Sequence, residues 1–221
     1  VGYYAGNKNT TGDNNTAMGD RALYTNTTGS GNAAFGRKAL YTSNTGNNAA
    51  FGYLSFQSTT GNDNTGCGYL SGGQQTSGHG NTFVGNAAGY TTTTGSNCSA
   101  LGKNAWSSSA TASNEVTLGD GSISSLRCAD TSISSLSDKR DKKNITNLPE
   151  GIDFINKLRP VKFEWATREG VPAKDGKIRA GFIAQELQEA QTGSEYLDLV
   201  YDSNPDKLEA KQGKLVPVLV K

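Results

Sequence analysis

N-T-A-M-G-D-R-A-L (residues 15–23) and N-A-A-F-G-R-K-A-L (residues 32–40) are one pattern written twice, 17 residues apart. The pattern extends in both directions. Aligned on one glycine per unit, the chain gives Gly2, Gly19, Gly36, Gly52, Gly68, Gly85, Gly102 and Gly119, with spacings of 16 or 17. The preceding residue is always apolar: Val1, Met18, Phe35, Phe51, Cys67, Val84, Leu101 and Leu118. Four residues before the glycine stands Asn15, Asn32, Asn48, Asn64 or Asn81; in the last two units an asparagine stands five before, as Asn97 and Asn114. Three residues after it comes a small side chain, from Ala5 and Ala22 through Ser55 and Ser71 to Ala105.

A fixed period of this length means stacked, similar supersecondary units. The unit is too short for a helix pair, and its Thr, Asn and Gly content suits short strands and turns. The expected fold is mainly β: a parallel β-roll or β-solenoid over residues 1–120. In that reading the pre-glycine residue points inward and the glycine supplies positive φ or close backbone approach. The asparagine bonds neighbouring backbone or stacks as a ladder. Two or three core side chains per unit make a thin core, which predicts a homotrimer whose chains share it.

Other uses of such a repeat fit poorly. Calcium-binding solenoids need an aspartate per turn, and only Asp13, Asp20 and Asp63 precede residue 115. T-T-T-T (91–94) hints at an ice-binding array, but the threonines do not keep register between units. Paired carboxylates for glycoside hydrolysis are scarce. A rigid spacer or adhesive shaft remains.

The bulk numbers exclude more. The 221 residues carry a net charge of +1, so no strong field draws in nucleic acid. No stretch approaches the roughly 20 apolar residues of a membrane span, and no secretory signal is present. Cys67, Cys98 and Cys128 are few, odd in number and scattered, which predicts buried or half-buried free thiols rather than disulfides or a metal site. His79 sits in a G-H-G turn without nearby ligands. No cofactor is expected. Residue 1 falls inside a repeat, which reads as a fragment with an unseen start.

At S-D-K-R-D-K-K-N-I (137–145) the chain changes character. All five prolines lie beyond it, at 149, 160, 172, 205 and 217, and 15 of the 21 basic residues lie from Ser137 onward. Conventional α and β elements are expected there. N-L-P-E (147–150) starts a helix, with Asn147 as cap, Glu150 reaching back, and Ile152, Ile155 and Leu158 as its apolar stripe. V-K-F-E-W (161–165) alternates as a strand. Lys174-Asp175-Gly176 is a turn, 178–184 a strand, 185–190 a short helix and Y-L-D-L-V-Y (196–201) a third strand. Leu215–Val220 begins a last helix with Pro217 in its first turn; the sequence stops there, as if that helix were truncated. The expected division is a shaft over 1–120, a connector over 121–136 and a small α+β domain over 137–221.

The N-terminal repeat resembles repeats of phage tail fibres and of the heads of trimeric autotransporter adhesins. S-D-K-R-D-K-K-N-I, L-R-P-V-K-F-E-W and G-F-I-A-Q-E-L, in that order, resemble the endosialidase-type intramolecular chaperone domain that caps phage tail spikes and fibres. That resemblance implies a domain that helps three chains fold in register and then releases itself by cutting the Leu136–Ser137 bond. It also implies a virion-tail protein, assembled in the host cytoplasm, whose partner is a host surface receptor such as a glycan or outer-membrane component. It implies no membrane insertion. The alternative is a bacterial trimeric surface adhesin.

The resemblance makes Ser137 the nucleophile and Lys142 its base. A serine hydroxyl needs a base, and the only histidine lies 58 residues upstream. A lysine serves when burial or like charge lowers its pKa; Lys139, Arg140 and Lys143 are its neighbours. Residues five apart share no face of a helix or strand, so the chain must bend for Ser137 and Lys142 to meet. Asp138 is the candidate to orient Lys142, and Asn144 the candidate donor to the developing oxyanion. Gly181 to Leu187 reads as fold-defining, with Gln185 and Glu186 its only members able to reach chemistry.

Overall fold

The computed structural model describes residues 1–129, 133–134, 136–166 and 176–221. It divides into two compact units, Val1–Ile123 and Ser124–Lys221.

The first unit is a parallel β-solenoid. Each unit of the repeat contributes one three-residue strand: β1 Thr16–Met18, β2 Ala33–Phe35, β3 Ala49–Phe51, β4 Thr65–Cys67, β5 Thr82–Val84, β6 Ser99–Leu101 and β7 Val116–Leu118. They form one parallel sheet in sequence order, each strand bonded to the next turn of the coil. Register is strict: Met18 pairs with Phe35, Phe35 with Phe51, and Phe51 with Cys67.

Strand side chains alternate between faces, and here the middle residue enters the coil. Ala34, Ala50, Phe83 and Ala100 are buried there. The expectation that the pre-glycine residue points inward is therefore wrong: Met18, Phe51, Cys67, Val84, Leu101 and Leu118 all face solvent. The reason is space. Leu23, Leu40, Phe56 and Phe83, a wall of small residues and a row of buried asparagines already fill the interior. The inward strand position is taken by Ala, by Gly66, by one well-placed Phe and, in the last strand, by Thr117. Each coil thus has its own core, and none is left open to be shared with another chain.

The asparagines form the ladder. Each of Asn32, Asn48, Asn64 and Asn81 donates its backbone N–H to the side-chain oxygen of the asparagine one coil earlier, at 2.9–3.0 Å. Their side-chain amides donate to carbonyls of the following coil, as Asn64 Nδ2 does to Gly78 O at 3.1 Å. All four are essentially inaccessible to solvent, so the ladder satisfies backbone groups that water cannot reach. Cys98 takes the next rung: its N–H bonds Asn81 Oδ1 at 2.8 Å and its thiol donates to Ala112 O at 3.2 Å. Asn97 and Asn114 belong to a different column, one residue earlier. It holds Asn14, Gly31, Asn47, Asp63, Gly80, Asn97 and Asn114, all at φ between +55° and +73°. Asn, Asp and Gly are the residues that tolerate this left-handed conformation.

The landmark glycines allow coils to stack. A Cβ on Gly52, at φ +143°, would lie 2.4 Å from the carbonyl oxygen of Gly68. A second accommodation is lateral: Gly72 makes room for the Phe56 ring, and a Cβ there would sit 2.2 Å from it. Phe56 and Phe83 in turn meet in the interior, their rings tilted by 30° with centroids 5.8 Å apart.

The second unit is a small α+β domain. Its elements are α1 Ile152–Ile155, β8 Val161–Phe163, β9 Arg179–Gly181, α2 Ala184–Ala190, β10 Val200–Tyr201, β11 Glu209–Ala210 and α3 Val216–Leu219. β8 pairs antiparallel with β9, and β10 with β11. Phe154, Leu187, Leu197, Leu199, Val200, Leu215 and Val218 make the core. Pro217 lies in the first turn of α3, as expected.

Several local expectations change. The segment expected as one strand over 196–201 begins as a 3-10 turn, Glu195–Leu197, and becomes strand only at β10. Asp198 at φ +52° breaks the run. The helix expected from Asn147 starts at Ile152 with Gly151 in the cap position. Glu150 does not reach back; it accepts from the Ser194 and Tyr196 hydroxyls. Phe154 is the helix's buried residue, while Ile152 is exposed. The expected Lys174-Asp175-Gly176 turn lies, at 174 and 175, outside the described residues. Of the cysteines only Cys98 is buried; Cys67 and Cys128 are exposed, against expectation. Cys67 is exposed because it occupies the outward strand position.

Candidate functional site

Ser137, Asp138, Lys142 and Asn144 lie in one short stretch of the second unit, residues 137–144. The bend that spacing required is present. Lys139–Asp141 forms a 3-10 turn, with Asp138 before it and Lys142 after it, both extended. One such turn between two extended residues folds the chain back over five positions. Lys142 Nζ thereby donates to Ser137 Oγ at 2.6 Å.

Asp138 holds that turn. Its carboxylate accepts the Arg140 backbone N–H at 2.8 Å, the N-cap bond of the turn. It also takes the Arg140 guanidinium, Nε at 3.1 Å and Nη2 at 2.6 Å. These bonds from Arg140 hold the Asp138 carboxyl below its usual range, and the same contact raises Arg140. Asp138, the candidate to orient Lys142, places its carboxylate on Arg140 and shapes the turn. Arg140 was missed as a participant, although D-x-R is a spacing at which a carboxylate caps and clamps together. Asn144 adopts φ +55° just beyond the pair. Leu136, whose carbonyl precedes Ser137, is fully exposed, and Ser137 and Lys142 are exposed too.

The other two motifs meet away from this turn. Arg159, from L-R-P-V-K-F-E-W, grips Glu186, from G-F-I-A-Q-E-L, through two parallel bonds, one of them Nε to Oε2 at 3.1 Å. Val161 pairs with Gly181 in the β8–β9 ladder. Glu186 thereby joins the two motifs. Asp198 accepts from Lys211 at 2.6 Å and pairs with Lys214 at 3.3 Å. Those bonds, Lys211 first, hold its carboxyl below the usual range.

Among the described residues no cluster of His, Cys, Asp and Glu can hold a metal ion, and no helix is long and apolar enough to cross a membrane.

The sequence model of the family described as "chaperone of endosialidase" matches residues 137–196. The match begins at Ser137 and covers the turn, α1, β8, β9 and α2. No curated protein and no solved structure matches the chain. Residues 137–196 are therefore similar to that chaperone family, while the solenoid rests on its own geometry.

Proposed function

We propose that the protein is the end of a homotrimeric phage tail fibre. The solenoid is its shaft, presented to a host surface receptor. The segment from Ser137 onward assists three chains to fold in register and then detaches by cutting the Leu136–Ser137 bond. Residues 121–136 act as the connector that is severed. The observation carrying this reading is the 2.6 Å contact between Lys142 Nζ and Ser137 Oγ, at the first residue of the chaperone-family match. A chaperone domain of this kind suits the virion tail better than a surface adhesin, the second reading that the repeats alone leave open.

The chemistry follows from the geometry. Neutral Lys142 removes the proton from Ser137 Oγ. The oxygen attacks the carbonyl carbon of Leu136, the residue immediately before, forming a five-membered tetrahedral adduct. The C–N bond breaks, the serine nitrogen leaves with the proton from Lys142, and an ester joins Leu136 to Ser137 Oγ. One water then hydrolyses the ester, giving a Leu136 carboxylate and a free Ser137. Asn144 donates to the oxyanion in this scheme. Lys142 is solvent-exposed in the single chain. Covering of the turn by neighbouring chains supplies the desolvation that favours the neutral amine, so cleavage follows assembly.

Intact-mass measurement and a denaturing gel of the protein expressed from its natural gene test this reading. Two fragments are expected, divided between Leu136 and Ser137, with an uncut chain for Ser137→Ala. An uncut wild-type chain in assembled trimers, or a cut at another bond, overturns the cleavage scheme.

A further inference from the structure

The residues before the landmark glycines make a continuous apolar stripe on the outside of the solenoid. Phe35 and Phe51 stack in it at 5.0 Å, nearly parallel. Met18, Phe51, Val84, Leu101 and Leu118 are between 36% and 56% exposed, and Cys67 is exposed among them. The other outward strand column, Thr16, Ala33, Ala49, Thr65, Thr82, Ser99 and Val116, is also uncharged. Seven strands at about 4.8 Å spacing make the face roughly 30 Å long. Monomeric proteins rarely leave such a face to water.

We infer that this sheet face, and not a shared interior, is where copies of the chain meet. The inference rests on the trimer reading above and specifies its surface. The occupant is another copy for a geometric reason. The stripe offers one apolar side chain per strand at the sheet's own step, and the matching surface must repeat at that step over seven layers. A second solenoid, parallel and level with the first, does so. Around a threefold axis the three stripes form one column in which each layer meets its equivalents. The flank fits an interface rim. The residue just after the glycine is Asp20, Arg37, Tyr53, Tyr69, Asn86 and Lys103 in successive coils. Arg37 bonds Asp20 at 3.2 Å and Tyr53 at 3.0 Å, and Tyr53 stacks on Tyr69.

Cys67 is a native reporter, because it lies on this face midway along it. The full chain is sized by light scattering and treated with a bulky maleimide, and modified cysteines are located by peptide mass. In the assembled protein Cys67 is expected to react at least about tenfold more slowly than in denaturant, since an interface core excludes solvent. Leu101→Asp and the milder Leu101→Ser are expected to weaken assembly while the circular dichroism of the coils persists. Ser77→Asp, on an exposed turn, is expected to leave the mass unchanged. A trimer in which Cys67 reacts as fast as in denaturant, or one that Leu101→Asp leaves intact, overturns this surface while sparing the trimer. A folded monomer overturns the trimer reading itself.

Discussion

The side-chain oxygen of Asn48 accepts both the backbone N–H and the side-chain amide of Asn64, at 3.0 and 3.1 Å, one coil further along. A rung of this ladder therefore serves two coils at once. Asn64→Ala removes the acceptor of the Asn81 N–H and the donor to Gly78 O, both buried. A cost of about 2–4 kcal/mol is expected, read as a lower unfolding midpoint by circular dichroism. Asn62→Ala, exposed two residues earlier, should change stability by no more than about 0.5 kcal/mol.

Phe56 and Gly72 form a second matched pair. Phe56→Ala should cost about 3–5 kcal/mol as a cavity. Gly72→Ala should cost about 2 kcal/mol or more, since its φ is +60° and its new methyl meets the ring. The double variant should lose clearly less than the sum, because the methyl then enters space the ring has left. Additive losses in denaturant titrations would show that the two residues do not share that space.

Ser137→Ala should abolish splitting at Leu136–Ser137 while trimers still form, because the hydroxyl serves attack and not packing. Lys142→Ala should slow it by about 10²-fold or more. The rate, followed by gel densitometry, should not depend on protein concentration once trimers exist.

Asp138 and Arg140 should affect the same rate through the turn. Asp138→Ala loses both the cap bond and the guanidinium clamp, whereas Arg140→Ala keeps the side chain-to-backbone cap. The slowing should therefore be larger for Asp138→Ala, and the double variant should be no slower than Asp138→Ala alone. If Asp138→Ala cleaves at the wild-type rate, the turn does not need its cap.

Two carboxylates should make the second unit acid-sensitive. Glu150 is held below its usual range by the Ser194 hydroxyl first and the Tyr196 hydroxyl second, and Asp198 by Lys211 and Lys214. A carboxyl whose pKa is lower folded than unfolded stabilises the fold above its unfolded pKa, near 4. That stabilisation disappears as pH falls through the folded value. Glu150→Gln and Asp198→Asn should each flatten the loss of stability below about pH 4, measured by thermal melts across pH.

The repeat was legible because stacking imposes the same constraint on every coil: the 16- to 17-residue period, the ladder asparagines and the close-approach glycines all stand out in one line of sequence. The motifs of the second unit and the need for a bend between Ser137 and Lys142 were legible too, since both depend on local order and spacing. What only the tertiary structure decided is which way side chains point when two solutions share one pattern. Alternation says that Ala50 and Phe51 face opposite sides of a strand, but not which side is inside. The choice fell to volume: Phe56, Leu40 and the asparagine ladder fill the coil there, so Ala50 goes in and Phe51 comes out. In the same way, composition offered Asp138 a choice of cations, and the 3-10 turn settled it by bringing Arg140 within reach of its carboxylate while Lys142 turned toward Ser137.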